Sequence, residues 1–390
     1  MSPGRGTLGS PVGWACAPAL AICVAWSCVP ALLIAQTPAT PDTTVTYFTR
    51  GPGFLARLDL SPWADLRVRH DAVRDRPNAP DFDRQRVTLR AGVAWERPSQ
   101  PVRFEAGLRA SLGGDHNRET WSVFDNETAD TVQVDRLGIR VSSMAGDFVA
   151  LGKMRLPVPL TELLWDDDLR PVGIGFTSRL GWSGLEGLSV GGGAFTRGRF
   201  ESDDVRLVVA QLGLERGNPA TAGGELRASY LGVANRDSLI GQGLARQNRV
   251  VVTAAGPRFA QEFHVIDLQL AGHVHAGSWP VTARVDGAMN ASAGSDDRAL
   301  RTRLATGGAG APWGIEAGWI YQRIEREALA GAFNSDDWWF HSRSRGHSIF
   351  LHAGLGRAVS VRIAGFIERR DDVQADTRRL NAELRWRWGD

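Results

Sequence analysis

The sequence predicts an all-β fold, a transmembrane antiparallel up-and-down β-barrel of about sixteen strands. Two observations carry this expectation. Polar and apolar residues alternate with period two from about residue 54 to the C-terminus, and the connectors between alternating segments are short and long by turns. Membrane barrels join their strands in that way, with short turns at one end and longer loops at the other. A third consideration assigns the faces, because an arginine directed at lipid near the bilayer midplane costs ~2–4 kcal/mol.

Composition excludes several other classes. The 390 residues are 43% hydrophobic and 23% charged with 45 glycines, too apolar for disorder and without the period of a collagen-like chain. A formal net charge of +2 supplies no bulk field for nucleic acid. The three cysteines, Cys16, Cys23 and Cys28, all fall in one apolar stretch, Trp14 to Ala35, which follows the single basic residue Arg5. It ends in Leu33-Ile34-Ala35, a small residue where a signal peptidase cuts. Residues 1–35 are therefore read as a cleaved signal peptide. The alternative is a membrane anchor, against which stand Pro18, Pro30 and the weak positive flank. Lipoprotein cleavage before Cys28 is disfavoured by the bulk of Trp26. Residues 36–53, rich in Thr, Pro and Asp at their start, are a flexible lead-in, and 54–390 form the barrel. Beyond the signal there is no thiol for a disulfide or a metal.

The strands follow in order. The first is 55–70. In the second, 84–95, Gln85, Val87, Leu89, Ala91, Val93 and Trp95 oppose Arg84, Arg86, Thr88, Arg90, Gly92 and Ala94. The third, 102–112, sets Val102, Phe104, Ala106, Leu108, Ala110 and Leu112 against Arg103, Glu105, Gly107, Arg109 and Ser111. Between these two lies a proline-containing turn, Glu96 to Pro101, which makes them a hairpin. Similar segments occupy 132–142, 147–153, 172–181, 188–197, 206–214, 225–234, 262–276, 281–291, 300–307, 313–324, 346–355, 359–368 and 379–388. Val250-Val251-Val252 would be a seventeenth strand, but single-chain bacterial barrels use even numbers, so it is placed in a loop or a strand extension.

The arginine cost sends Arg84, Arg86, Arg90, Arg103, Arg109, Arg140, Arg284, Arg362, Arg379, Arg385 and Arg387 to the inside. A cylinder of about sixteen strands is too wide for these side chains to fill, so water is expected in the bore. Trp95, Trp279, Trp313, Trp319, Trp386 and Trp388 are candidates for an interfacial girdle. The competing architecture for period-two alternation is a soluble β-sandwich.

From Leu151 to Gly173 the chain carries a strand ending in Gly152-Lys153, then Pro157, Trp165, Asp166, Asp168, Leu169, Pro171 and Gly173. This stretch resembles a motif of the porin family of bacterial outer membranes and is similar, more loosely, to the phosphate-selective porins. The Arg84-x-Arg86 strand and Val134-Asp135-Arg136-Leu137 look like earlier signatures of the same family. The resemblance implies a Gram-negative outer-membrane channel for passive diffusion of small hydrophilic solutes. Its implied partners are outer-membrane lipid, the barrel-assembly machinery and, as in many diffusion porins, further copies of the chain. Such barrels usually end in an aromatic residue. This chain ends in Gly389-Asp390, although Leu384, Trp386 and Trp388 keep the alternation of a final strand.

Residues 154–171 are expected to fold inward as a constriction loop. Pro157, Pro159, Leu160, Leu163, Leu164 and Trp165 are too apolar for bulk water, and they lie beside Asp166, Asp167 and Asp168, with Lys153 at the base. An ordinary external loop is the alternative. Arginines inside and acids in the connectors, from Asp71, Asp75, Asp81 and Asp83 to Asp371 and Asp372, predict a modest anion preference. Neutralisation by inner acids such as Glu105, Asp267, Asp286 and Glu383 would cancel it. Lys153 is the only lysine, so no lysine cluster supports a phosphate site. His273 and His275 share a strand face and are read as lining rather than metal ligands. The run Asp166 to Asp168 lacks the alternating spacing of a calcium loop. Neither a nucleophile elbow, an HExxH nor a P-loop is present, so no enzyme activity, metal or cofactor is expected. The two other functional readings are a barrel-embedded lipid or peptide hydrolase and a secreted β-sandwich that binds a ligand.

Overall fold

Sixteen strands close on themselves, each hydrogen-bonded antiparallel to its neighbours. The computed structural model describes residues 58–389 except 78, 98–99, 115–130, 144–145, 182–186, 197–204, 219–220, 278 and 311. The expected signal peptide and lead-in lie outside the described residues.

The strands are β1 (Leu60–Arg74), β2 (Phe82–Glu96), β3 (Val102–Gly114), β4 (Thr131–Ser142), β5 (Phe148–Lys153), β6 (Val172–Leu180), β7 (Leu188–Thr196), β8 (Arg206–Asn218) and β9 (Ala222–Ala234). After these come β10 (Val250–Thr253), β11 (Gly256–Phe259), β12 (Phe263–Ala276), β13 (Trp279–Asn290), β14 (Arg298–Gly307), β15 (Ile315–Ile324), β16 (Ser344–Gly354), β17 (Val359–Arg370) and β18 (Thr377–Trp388). Strand β1 pairs with β18, from Ala64 opposite Trp388 to Arg74 opposite Arg378, and this closes the cylinder. A closed barrel removes the sandwich alternative. Strands β10 and β11 are a separate hairpin in the connector between β9 and β12, which is where Val250 to Val252 were expected to fall.

Alternation now has a spatial meaning. Val87, Leu89 and Val93 of β2, Leu108 and Leu112 of β3, and Ile266, Leu268 and Leu270 of β12 are exposed on the outer wall. Their neighbours Arg86, Arg90, Arg109, Asp267 and Gln269 are buried within. Trp279, Trp313, Trp386 and Trp388 are exposed at the short-turn end, where Trp95 also lies against Phe104 with ring centroids 5.5 Å apart. Trp319 departs from that girdle, since it sits halfway along β15.

Two details depart from simple alternation. The β3–β4 register slips between Gly107 and Leu108, so Arg136 faces Gly107 while Val134 faces Leu108. This bulge turns two consecutive residues, Asp135 and Arg136, into the interior. The second is strand length. Asp71 and Asp83, read from sequence as connector acids, belong to β1 and β2. Asp71 is fully buried inside, because pairing of β1 with β2 and β18 continues past the segment whose alternation is evident.

A field of small residues lies on the inner wall at β4–β7. Gly152 pairs with Gly138 on one side and Gly173 on the other. At φ +125°, a Cβ on Gly152 would stand 2.2 Å from the Leu137 carbonyl oxygen, so only glycine fits.

Candidate pore and its inward loops

The arginine wall is built by β1, β2 and β18, whose inward positions stack Arg67 and Arg69, then Arg84, Arg86 and Arg90, then Arg379. Asp71 is its hub. Its carboxylate accepts from Arg84 Nη2 at 2.9 Å, Arg379 Nη2 at 2.8 Å, Asn381 Nδ2 at 2.9 Å and Arg69 Nε at 3.3 Å. Lower on the wall, Arg385 Nε donates to Asp65 at 2.9 Å. Arg90 lies 3.5 Å from the bulge residue Asp135, and Arg136 pairs with Glu105. The Arg136 guanidinium also covers the buried Trp63 ring, 4.2 Å from its centroid.

The segment 154–171 leaves the wall between β5 and β6 and lies on the glycine field. A Cβ on Gly175 would be 2.5 Å from Pro157 Cγ, and one on Gly191 would be 2.5 Å from Val158 Cγ1. Thr177 Oγ1 donates to the Pro157 carbonyl at 2.6 Å and Gln211 Nε2 to that of Pro159 at 2.7 Å. Further on, Glu162 pairs with Arg301 of β14. At the far side, Asp168 meets Arg67 and Arg90, each at 2.8 Å. The segment thus spans from its own strands to the arginine wall.

A second connector, 325–343, meets it there. Trp165 stacks on Phe333 with centroids 5.7 Å apart, Asp166 N–H donates to the Phe333 carbonyl at 2.7 Å, and Ser335 N–H donates to that of Glu162 at 3.0 Å. Asp336 reaches Arg86 at 3.3 Å and Arg69 at 3.4 Å, while Asp337 reaches Arg362 at 2.8 Å. A third connector, 235–262, is tied in by Asn248, whose Nδ2 donates to the carbonyls of Arg326 and Leu329 at 2.6 and 2.8 Å. Leu163, Leu164, Trp165, Leu239, Leu244, Leu329 and Phe333 bury one another against Phe195, Leu207, Val233 and Phe263 of the wall. Part of the interior is therefore an apolar core, formed because three loops carry large side chains that would otherwise face water.

Electrostatics distinguish the loop acids. Burial alone would raise Asp168, but Arg67 and Arg90 hold its carboxyl well below the usual range. Asp336 is likewise held low against burial by Arg69 and Arg379, and Asp337 by Arg362 and Arg69. Asp166 goes the other way. Burial, with Asp336 and Asp168 beside it, pushes it well above the ordinary value. Burial and the nearby Arg155 bring Arg170 down to about 9, and burial keeps His341 well below a normal imidazole.

Of the inward arginines read from sequence, Arg84, Arg86, Arg90 and Arg109 are buried, while Arg362 and Arg385 are paired as described. Arg103 lies 3.3 Å from Glu96, Arg284 is 4.0 Å from Glu225, and Arg140 sits over Phe148 at 3.8 Å. Arg387 is exposed near the end of β18. In the loop, Trp165 and Asp166 are buried, Asp167 is exposed, and Lys153 remains the last residue of β5. Of the acids expected to neutralise arginines, Glu105 pairs with one. Asp267 and Asp286, on β12 and β13, form no ion pair among the described residues, and Asp267 accepts from Gln269 at 2.7 Å. His273 and His275 lie edge to face, 6.1 Å apart, against the carbonyls of Asn218 and Thr221. Among the described residues no group of three ligating side chains is placed to hold a metal.

Sequence reasoning missed Arg67 and Arg69, which the Arg67-x-Arg69-x-Asp71 alternation offered. Asp336 and Asp337, read from sequence as connector acids, instead reach the inner arginines, a placement for which no local signal exists.

No protein-family model matches the sequence, and no curated protein matches it. Solved structures do match in fold. OprB of Pseudomonas putida in its high-pH structure has a TM-score of 0.58 at 11% identity, over 86% of this chain and 95% of that one. OmpF of Salmonella typhi in complex with daunomycin gives 0.52 at 9%, over 84% and 97%. A BenF-like porin from Pseudomonas fluorescens gives 0.50 at 11%, over 85% and 99%. At such identities the likeness is one of architecture, and in architecture this chain is a sixteen-stranded porin-type barrel.

Proposed function

We propose that the protein is an outer-membrane porin, a water-filled channel through which small hydrophilic solutes diffuse passively. The observation that carries this reading is the pairing, within one closed barrel, of an apolar outer wall with an inner wall of buried arginines. Only a lipid exterior accounts for the first, and only a polar interior for the second. The barrel spans the lipid, with residues 1–35 removed on export, 36–53 as a lead-in and assembly by the barrel-assembly machinery into a homo-oligomer.

In this reading the segment 154–171, docked on the arginine wall together with 325–343, narrows the water path, and solutes pass through the part of the bore that these loops leave open. The inner charges point to a modest anion preference, tempered because Asp65, Asp71, Asp168, Asp336 and Asp337 already engage many arginines.

The test is reconstitution in planar bilayers. Stepwise conductance with an anion-selective reversal potential in a salt gradient is expected, and deletion of 157–168 should enlarge each step. Absence of steps from folded protein would remove the channel reading. Unchanged steps after the deletion would remove the constriction alone.

A further inference from the structure

On the outer face at the long-loop end, three arginines stand side by side on neighbouring strands. Arg323 of β15 pairs across with Arg345 of β16, and Arg345 with Arg369 of β17. They share the face of Trp319, Ile349, Leu351, Ile363 and Ile367, all exposed on the barrel exterior. Like charges set directly opposite each other in a sheet repel. Glu325 relieves Arg323 at 3.3 Å and Asp376 relieves Arg369 at 2.6 Å. Arg345, in the middle, forms no ion pair of its own among the described residues and shares only the nearby charge of Asp376, which Arg369 already engages.

What lies beneath the row is ordered by polarity. Below the arginines, Tyr321, His347 and Ile367 stand in register; below these come Trp319, Ile349 and Gly365, and then Ala317, Leu351 and Ile363. The His347 ring lies 5.1 Å from Tyr321 and 5.8 Å from Trp319. Charge, amphipathic rings and aliphatic surface thus succeed one another down the wall, in the sequence that headgroup, interface and hydrocarbon present to a membrane protein. At Gly365 an added Cβ would touch only Ile349 Cγ1, at 4.0 Å, so a shallow notch opens below the row.

We infer that this patch binds an anionic lipid of the outer leaflet. The guanidinium groups of Arg323, Arg345 and Arg369 hold its headgroup phosphates, and an acyl chain lies over Gly365. Guanidinium matches phosphate oxygens in a bidentate geometry, and an anion bridging the row removes the repulsion among its members. The inference rests on the outer-membrane placement proposed above. Conductance of the same variants reports on the channel separately, because none of the three arginines faces the bore.

The experiment titrates the folded full barrel in detergent with diphosphoryl lipid A, with zwitterionic phosphatidylcholine and with inorganic phosphate, following tryptophan fluorescence and native mass spectrometry. Lipid A is expected to bind, and the combined Arg323→Gln, Arg345→Gln and Arg369→Gln variant to bind it about tenfold more weakly, with conductance unchanged. Heat-modifiable gel migration checks that the variants fold. If the triple variant does not fold, Arg345→Gln alone carries the test, with a several-fold loss expected and partial retention in Arg345→Lys. Undiminished lipid A binding in Arg345→Gln overturns the inference. So does phosphatidylcholine binding of equal strength, or inorganic phosphate competing at the same concentration as lipid, which would mark a free-anion site.

Discussion

The Oδ2 atom of Asp166 accepts the backbone N–H of Asp336 at 2.9 Å, joining two loops that leave the barrel at β5 and β15. Its Oδ1 accepts the N–H of Asp168 at 2.8 Å. One buried carboxyl therefore holds both loops in the position from which Asp168 and Asp336 reach the arginine wall. Asp166→Ala leaves two N–H groups without their acceptor, at a cost of about 1–3 kcal/mol each. The loops should then undock. Single-channel recordings are expected to show larger and noisier open levels, and limited proteolysis to cut within 154–171 or 325–343. A quiet channel of unchanged size would count against this coupling.

The ties to the wall should resist mild acid. Because Arg67 and Arg90 hold Asp168 well below the usual carboxylate range, its contribution is fully present above that range and is lost only as pH falls through the lower folded value. The same holds for Asp336 and Asp337. The stability difference between the natural protein and Asp337→Asn, whose charge does not bear on the raised Asp166, should accordingly be constant from neutral pH to about pH 5 and shrink only in stronger acid. Thermal unfolding in detergent across that range measures it. A difference that fades between pH 7 and about pH 5 would contradict the assignment.

Asp71 is the most heavily engaged carboxylate of the wall, with Arg69, Arg84 and Arg379 around it. Asp71→Asn removes the carboxylate that Arg84 and Arg379 share, leaving Arg69 to Asp336 and Asp337, and breaking such a buried site costs on the order of 3–5 kcal/mol. The unfolding temperature should drop sharply, with the loss concentrated at the seam where β1 meets β18. A change no larger than that of an exposed pair such as Arg74 and Asp83 would show the hub to be dispensable.

The glycine field predicts a variant that moves the loop with little strain on the barrel. Gly175→Ala places its Cβ 2.5 Å from Pro157 Cγ, and on the wall it meets the Phe195 ring at 2.9 Å and the Gly192 carbonyl oxygen at 3.1 Å. It should displace 154–171 from the wall and alter conductance while heat-modifiable migration remains that of a folded barrel. Natural conductance in this variant would mean that the loop does not depend on this contact.

Much of the architecture was legible because a strand repeats every second residue and lipid imposes the same demand along its length. Arg84, Arg86 and Arg90 alternate with Val87 and Leu89, and that pattern alone assigns inside and outside. The strand count, and the placing of Val250 to Val252 outside it in a loop or strand extension, followed from connector lengths and the need for even closure; that this segment pairs with 256–259 as a hairpin was not legible. The apolar character of Leu163, Leu164 and Trp165 likewise pointed inward.

The remainder depended on contacts with no local period. Asp135 and Arg136 point the same way only because β3 and β4 slip by a residue, a matter settled between strands. Asp71 became a buried hub through pairing with strands far along the chain. The approach of 325–343 to 154–171 joins residues far apart in the chain, such as Asp166 and Asp336, 170 positions apart. Periodicity determined by itself which side chains meet lipid, since the bilayer acts on every strand alike. Which acid meets which arginine was decided only by closure of the cylinder and packing of the loops within it, because ion pairing depends on distance in space and not on spacing along the chain.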